Sequence, residues 1–178
     1  PTFGGINLED IKAPESFEIE RRLVEELNIP VMHDDQHGTA IISSAALIND
    51  LELAGKKAED VKMVVSGAGS AAIACADLYV LLGVKRENIV MFNSKGMLTK
   101  DNPSLSELQQ KYAKDIPAKS LEEALVNADI FLGLSTGDIM TPEMLLGMAE
   151  NPIVFAMANP VPEINYDLAI ATRKDIIM

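Results

Sequence analysis

Between Val61 and Met157 short apolar runs alternate with longer amphipathic or polar stretches, and this alternation leaves few folds open. Val61–Val65, Asn88–Phe92, Ile130–Leu134 and Ile153–Met157 read as strands, being short, apolar and bounded by polar or Gly-containing segments. Ala71–Leu82, stopped by Gly83, reads as a helix; so do the polar stretch Leu105–Lys114, Ser120–Asn127 with Ser120 as N-cap, and Thr141–Glu150 with its Thr-Pro-Glu opening. Strands that alternate with helices imply right-handed crossovers and a parallel sheet covered on both faces.

The turn after the first of these strands carries chemistry. Gly67-Ala68-Gly69-Ser70-Ala71-Ala72 matches G-x-G-x-x-[GA] between an expected strand and an expected helix. The first glycine permits a tight turn and the second lets the backbone approach a pyrophosphate. The small residue at Ala72 lets helix and strand pack closely, and the helix N-terminus attracts the anion. Gly67, Ala68, Gly69, Ser70 and Ala71 are therefore candidate dinucleotide contacts. The fold class expected is α/β, a Rossmann-like doubly wound parallel sheet with a preceding helical segment. About 20 residues beyond the loop, where an acidic residue usually receives the adenosine ribose, the chain has Asn93-Ser94-Lys95. A neutral Asn93 does not repel a 2′-phosphate and Lys95 attracts one, so NADP is favoured over NAD; as a bland alternative, these residues form a plain polar turn.

Upstream lie two acidic pairs. Glu9-Asp10 follows Gly4-Gly5, and Asp34-Asp35 sits inside His33-Asp34-Asp35-Gln36-His37-Gly38-Thr39. Pro14–Asn28 reads as an amphipathic helix packed on a core through Ile19, Leu23 and Leu27, and Ile29–Met32 as a short extended piece, since a residue before proline avoids helix. That piece delivers His33–Asp35 to a turn, and Gly38–Leu53 follows as a buried helix ended by Gly55. Paired carboxylates suit Mg²⁺ or Mn²⁺, which prefer hard oxygen ligands. Read alone, each pair fits a solvated acidic patch equally well. His33 and His37 are four apart, as zinc ligands on a helix are, but the acidic turn expected between them makes them polar supports instead.

Residues 1–54 are thus expected to form a metal- and substrate-site segment with lead-in helices, and residues 55–178 part of a dinucleotide-binding domain. A net charge of -12 argues against a nucleic-acid partner. No apolar run is long enough for a bilayer and no signal peptide opens the chain. One cysteine, Cys75, forms no internal disulfide and reads as a small buried residue. A soluble, cytoplasmic protein is expected. Both ends read as internal, Pro1 opening in a loop and Met178 ending an apolar run.

Four ordered segments covering essentially the whole chain resemble the malic enzymes, and the bacterial type most closely. Pro1–Glu15 resembles that family's first metal motif, Ile29–Ala40 its second, Val64–Ala76 its cofactor loop, and Phe155-Ala156-Met157-Ala158-Asn159-Pro160 its strand ending in Asn-Pro. The resemblance implies oxidative decarboxylation of L-malate to pyruvate and CO₂ with NAD or NADP and a divalent metal, in a dimer or larger homo-oligomer. By the same resemblance Glu9, Asp10 and Asp35 are metal ligands, and Asp34 stands behind them or beside the cofactor. Ala68–Ala71 present amides to the pyrophosphate, and Asn159 meets the nicotinamide ribose or the substrate. The family's general acid/base tyrosine and lysine fall upstream of Pro1, so the isolated segment is expected to be inactive. Asn93 departs from the aspartate common at its position. Alternatives are a non-catalytic dinucleotide-binding or regulatory module and a malolactic or oxaloacetate-decarboxylating variant.

Overall fold

Two short parallel strands open the chain, β1 (Ile6–Leu8) and β2 (Val31–His33), paired Ile6 with Val31 and Leu8 with His33. Between them runs α1 (Glu15–Glu26). The computed structural model describes residues 2–12, 15–116, 118 and 120–178; Pro1 and the helix start expected at Pro14 lie outside them. Helix α2 (Asp34–Ala54) follows β2 directly and ends on Gly55 in the left-handed conformation, φ 67°.

The main sheet then forms. Strand β3 (Met63–Ser66) leads through α3 (Ser70–Leu81) to β4 (Ile89–Asn93), and β5 (Gly96–Met97) turns back on β4 as an antiparallel edge. After α4 (Glu107–Gln110) and α5 (Leu121–Leu125) come β6 (Ile130–Gly133), α6 (Pro142–Gly147), β7 (Ile153–Ala156) and α7 (Tyr166–Thr172). Strand order is β5-β4-β3-β6-β7, with β4, β3, β6 and β7 mutually parallel. The chain leaves β3 in one direction and returns to its other side with β6, which makes the space above β3 and β6 a topological switch point.

Alternation along the strands sorts two cores. Met63, Val65, Ile89, Met91, Ile130 and Leu132 pack towards α2 and α3, against Leu47, Leu51, Ile73, Cys75 and Tyr79. Val64, Phe92, Phe131 and Val154 face the other way, onto Leu125, Leu145 and Ala169 of α5, α6 and α7. Period-two side-chain placement is what lets one sheet serve both layers. Arg173 closes the second layer. Its guanidinium donates to the carbonyls of Leu145, Met148 and Ala149 and to both oxygens of Asp175, whose Oδ2 also accepts from Asn151 N–H. That guanidinium holds the Asp175 carboxyl well below the usual carboxylate range.

Asp34 and Asp35 do not form a turn; they are the first residues of α2, where carboxylates are favoured by the helix dipole, and the helix runs unbroken through His37. Helix α2 is only half buried: Ala40, Ser43, Ser44, Leu47 and Leu51 face the core while Ile41, Ile42, Ile48 and Leu53 are exposed, because α3 covers one side only. Helix α1 does not pack on a core either. Of the expected stripe Ile19 and Leu27 are exposed and Leu23 is only half-buried, and Arg21 and Arg22 bind Glu18, Glu25 and Glu26 along its surface. The helix expected over Leu105–Lys114 shortens to α4. Tyr112 is drawn under α3 to donate to Asp77, and Lys114 N–H bonds Leu98, so the chain leaves the helix early.

Candidate functional site

The glycine loop lies at the carboxyl end of β3, at the switch point. Gly67 has φ 119°, and a Cβ there would overlap the carbonyl oxygen of Leu134, so the position is closed to other residues on both counts. Its N–H donates to Phe92 O at 2.9 Å, and Leu134 N–H donates to Ser66 O at 2.8 Å, which ties the loop to both neighbouring strands. A Cβ on Gly69 would meet nothing. Gly69 caps α3 without a side-chain hydrogen bond, so no cap side chain occupies the first amides of that helix. A cleft of about 600 Å³ opens there, walled by Ser66, Gly67, Ala68, Gly69, Phe92, Asn93, Ser94, Gly96, Ser135 and Thr136 among others.

The structure thus brings Gly67, Ala68, Gly69, Asn93 and Ser94, all expected at a dinucleotide, into one cleft. Lys95 stands beside this wall rather than in it, with its N–H bound to Asn93 Oδ1 at 2.8 Å. Ser70 and Ala71 begin α3, and Ser70 also lines a second cavity of about 390 Å³ with Gln36, His37 and Asp77. Asn159 follows β7, beyond Ala158.

The structure adds residues that no motif marked. Gln109 Nε2 donates to Ala68 O at 3.0 Å while its other amide atom and its own N–H close a capping box with Ser106. Ser66 Oγ lies 2.9 Å from Ser135 Oγ at the cleft floor. Glu163, fully buried, accepts from Ser135 N–H and Ala158 N–H. The S-x-x-Q spacing could have pointed to the cap; nothing local announces the others, because their partners are distant in sequence.

The carboxylates are arranged differently. The β1–β2 pairing sets Leu8 beside His33, so the residues that follow each strand emerge side by side. Asp10 adopts φ 57°, and its N–H donates to Asp35 Oδ2 at 2.9 Å. Glu9, Asp10 and Asp35 are exposed, and the Asp34 carboxyl leans over Gly38, where a Cβ would meet it at 2.5 Å. Hard oxygen donors brought to neighbouring strand ends suit a divalent cation in chemistry. Among the described residues, no three His, Cys, Asp or Glu side chains converge into a formed metal cluster. His33 is buried with neither ring nitrogen hydrogen-bonded, and its Nε2 lies 3.9 Å from Asp35 Oδ2. Glu20 accepts from His33 N–H and pairs with His37 Nε2, both at 2.9 Å. Both histidines thus stand around the acidic pair. Cys75 is buried and burial pushes its thiol pKa up, which suits the core role expected of it.

A glycine loop opening a helix at the switch point of a parallel sheet defines a dinucleotide-binding α/β domain. Residues 36–172 match the family described as malic enzyme, NAD binding domain, and the chain belongs to the malic enzyme family. It is 52% identical, over 99% of its length, to an NADP-dependent malic enzyme of Halomonas elongata, covering 42% of that protein. It is also 52% identical over its whole length to an NAD-dependent malic enzyme of Rhizobium meliloti, covering 23% of it. The crystal structure of the NAD-dependent malic enzyme of Thermotoga maritima superposes with a TM-score of 0.89 at 47% identity, over 97% of this chain and 47% of that one. The chain therefore spans from under a quarter to under half the length of these relatives.

Proposed function

We propose that this chain is the cofactor-binding and metal-binding part of an NAD(P)-dependent malic enzyme, which decarboxylates L-malate oxidatively to pyruvate and CO₂. The observation that carries the reading is the cleft at the switch point, with Gly67 locked by Leu134 and Gly69, the cap of α3, lining it. In this reading the turn at Gly67 lets Ala68–Ala71 present backbone amides to the pyrophosphate, Asn93 and Ser94 receive the adenosine ribose, and Asn159 meets the nicotinamide ribose or the substrate. Residues 1–54 supply the metal and substrate side, and residues 55–178 the dinucleotide side.

Glu9, Asp10 and Asp35 would hold Mg²⁺ or Mn²⁺, supported by their oxygen chemistry and by the Asp10–Asp35 bond that brings two of them together. Bound there, the cation would act as a Lewis acid on the substrate's oxygens. Asp34, beside Asp35 and over Gly38, would orient its neighbours, and His33 and His37 with Glu20 would brace the start of α2. NADP is favoured over NAD because the end of β4 offers Asn93 and Lys95 rather than a carboxylate. A homo-oligomer is part of the same reading, supported by the exposed Ile42 and Leu53 of α2, and so is a cytoplasmic location, supported by one unpaired, buried thiol.

Malate-dependent reduction of NADP with Mn²⁺ by the full-length protein, with pyruvate as product, is the test. Dinucleotide binding without turnover supports a regulatory module instead, and malate consumption without net reduced cofactor a malolactic variant.

A further inference from the structure

Glu163 is wholly buried, and among the described residues no basic side chain pairs with it. A buried carboxyl without a cation is costly unless hydrogen bonds satisfy it, and here backbone donors do. Oε1 accepts from Ser135 N–H at 3.0 Å and from Ser135 Oγ at 3.4 Å; Oε2 accepts from Ala158 N–H at 3.0 Å. The main-chain oxygen of Glu163 accepts from Met140 N–H at 2.9 Å. The sequence leaves room for this group, since a Cβ on Gly133 would overlap the Glu163 carboxyl.

These bonds converge on the strand ends that bear the dinucleotide cleft. Ser135 follows β6 and lines the cleft, Ala158 follows β7 and precedes Asn159, and Ser135 Oγ reaches Ser66, the residue before Gly67. One side chain from behind the sheet thus ties the ends of β6 and β7 directly, and of β3 through a hydroxyl. A leucine would fill the same volume without cost in polarity but would leave two amides unpaired.

We propose that Glu163 is a positioning residue of the dinucleotide site, setting the Ser66–Ser135 floor and the Ala158–Asn159 segment against the bound cofactor. The proposal rests on the cofactor reading above. Its test uses the intact protein, titrated with NADP and NAD by fluorescence and with Mn²⁺ by electron paramagnetic resonance. In Glu163→Gln the amide NH₂ must face one of the two N–H donors, so the dinucleotide Kd should rise about tenfold, the size of one lost hydrogen bond to a buried group. Mn²⁺ affinity should not move. Amide exchange at Ser135 and Ala158 should accelerate while Val64 and Val65 keep their protection. Gly133→Ala, which displaces the carboxyl, should act in the same direction. Ser135→Ala removes only the hydroxyl and should raise Kd about threefold, which keeps the proposal open to test should Glu163→Gln fail to fold.

Unchanged dinucleotide Kd with a lowered Tm would make Glu163 a plug of the core and overturn the proposal, as would unchanged exchange at Ser135 and Ala158. If the unaltered protein binds neither dinucleotide, the cofactor reading itself fails and takes this role with it, whereas wild-type binding with no effect of the variants defeats the role of Glu163 alone.

Discussion

The two halves of the candidate site are built from different materials. The cleft proposed for the dinucleotide is made of backbone, held by Gly67 N–H to Phe92 O, Leu134 N–H to Ser66 O and the Gln109 amide on Ala68 O, with both faces of its sheet covered by helices. The acidic cluster is made of side chains. It hangs on the three-residue pairing of β1 and β2, with the bond from Asp10 N–H to Asp35 joining its parts and with α1 leaving Ile19 and Val24 exposed. A site formed from strand ends is complete once the sheet packs, because hydrogen bonds that stabilise the fold also place the amides. A site formed from carboxylates on weakly packed elements has no such coupling, and function there can be lost without loss of fold.

That contrast can be attacked in order of expected cost to stability. Gly67→Ala should be the most damaging, at about 3 kcal/mol, because it combines an unfavourable positive φ with overlap on Leu134 O. Urea unfolding should show the loss and dinucleotide titration should show binding gone with it; a stable variant that still binds would break the claimed coupling. Arg173→Ala should cost about 2 kcal/mol through its lost bonds to three carbonyls and Asp175, while leaving dinucleotide affinity intact in folded protein. The same pair predicts acid sensitivity. The folded-state pKa of Asp175 is depressed, so its contribution is fully present above the unfolded carboxylate value of about 3.9 and fades as pH falls below it. A denaturation series should therefore lose stability below about pH 4 in the native protein, with a flatter profile in Arg173→Ala.

On the other side, Asp35→Ala in the full-length protein should abolish metal-dependent turnover yet cost only about 1 kcal/mol, one acceptor at a helix start. Retained activity at saturating Mn²⁺ removes Asp35 from the ligand set; wholesale unfolding shows the two halves to be coupled after all. Smallest of all, Lys95→Ala should leave the melting temperature unchanged and weaken NADP about fivefold relative to NAD, the scale of one exposed charge contact. Equal loss for both cofactors defeats the 2′-phosphate role.

The strand and loop assignments were legible because their signals are local. Apolar runs of strand length, Ser120, Thr141 and Gly55 at helix ends, and a glycine at Gly67 that alone tolerates its φ all act over a few residues. Wherever distant elements compete, local signals failed. The Asp34–Asp35 pair looked like a turn but β2 feeds straight into α2, and Leu105–Lys114 looked helical but Tyr112 and Lys114 are claimed by Asp77 and Leu98. The apolar stripe of α1 promised a core that no described element supplies.

By itself, then, the sequence determined that this protein is a parallel α/β domain with a dinucleotide loop, since period, capping and glycine conformation are properties of neighbouring residues. Only the tertiary structure decided that Asp10 meets Asp35, that Gln109 holds Ala68, and that Glu163 reaches Ser135 and Ala158 past a glycine. Those contacts depend on strand order and register, which bring together residues far apart in the chain.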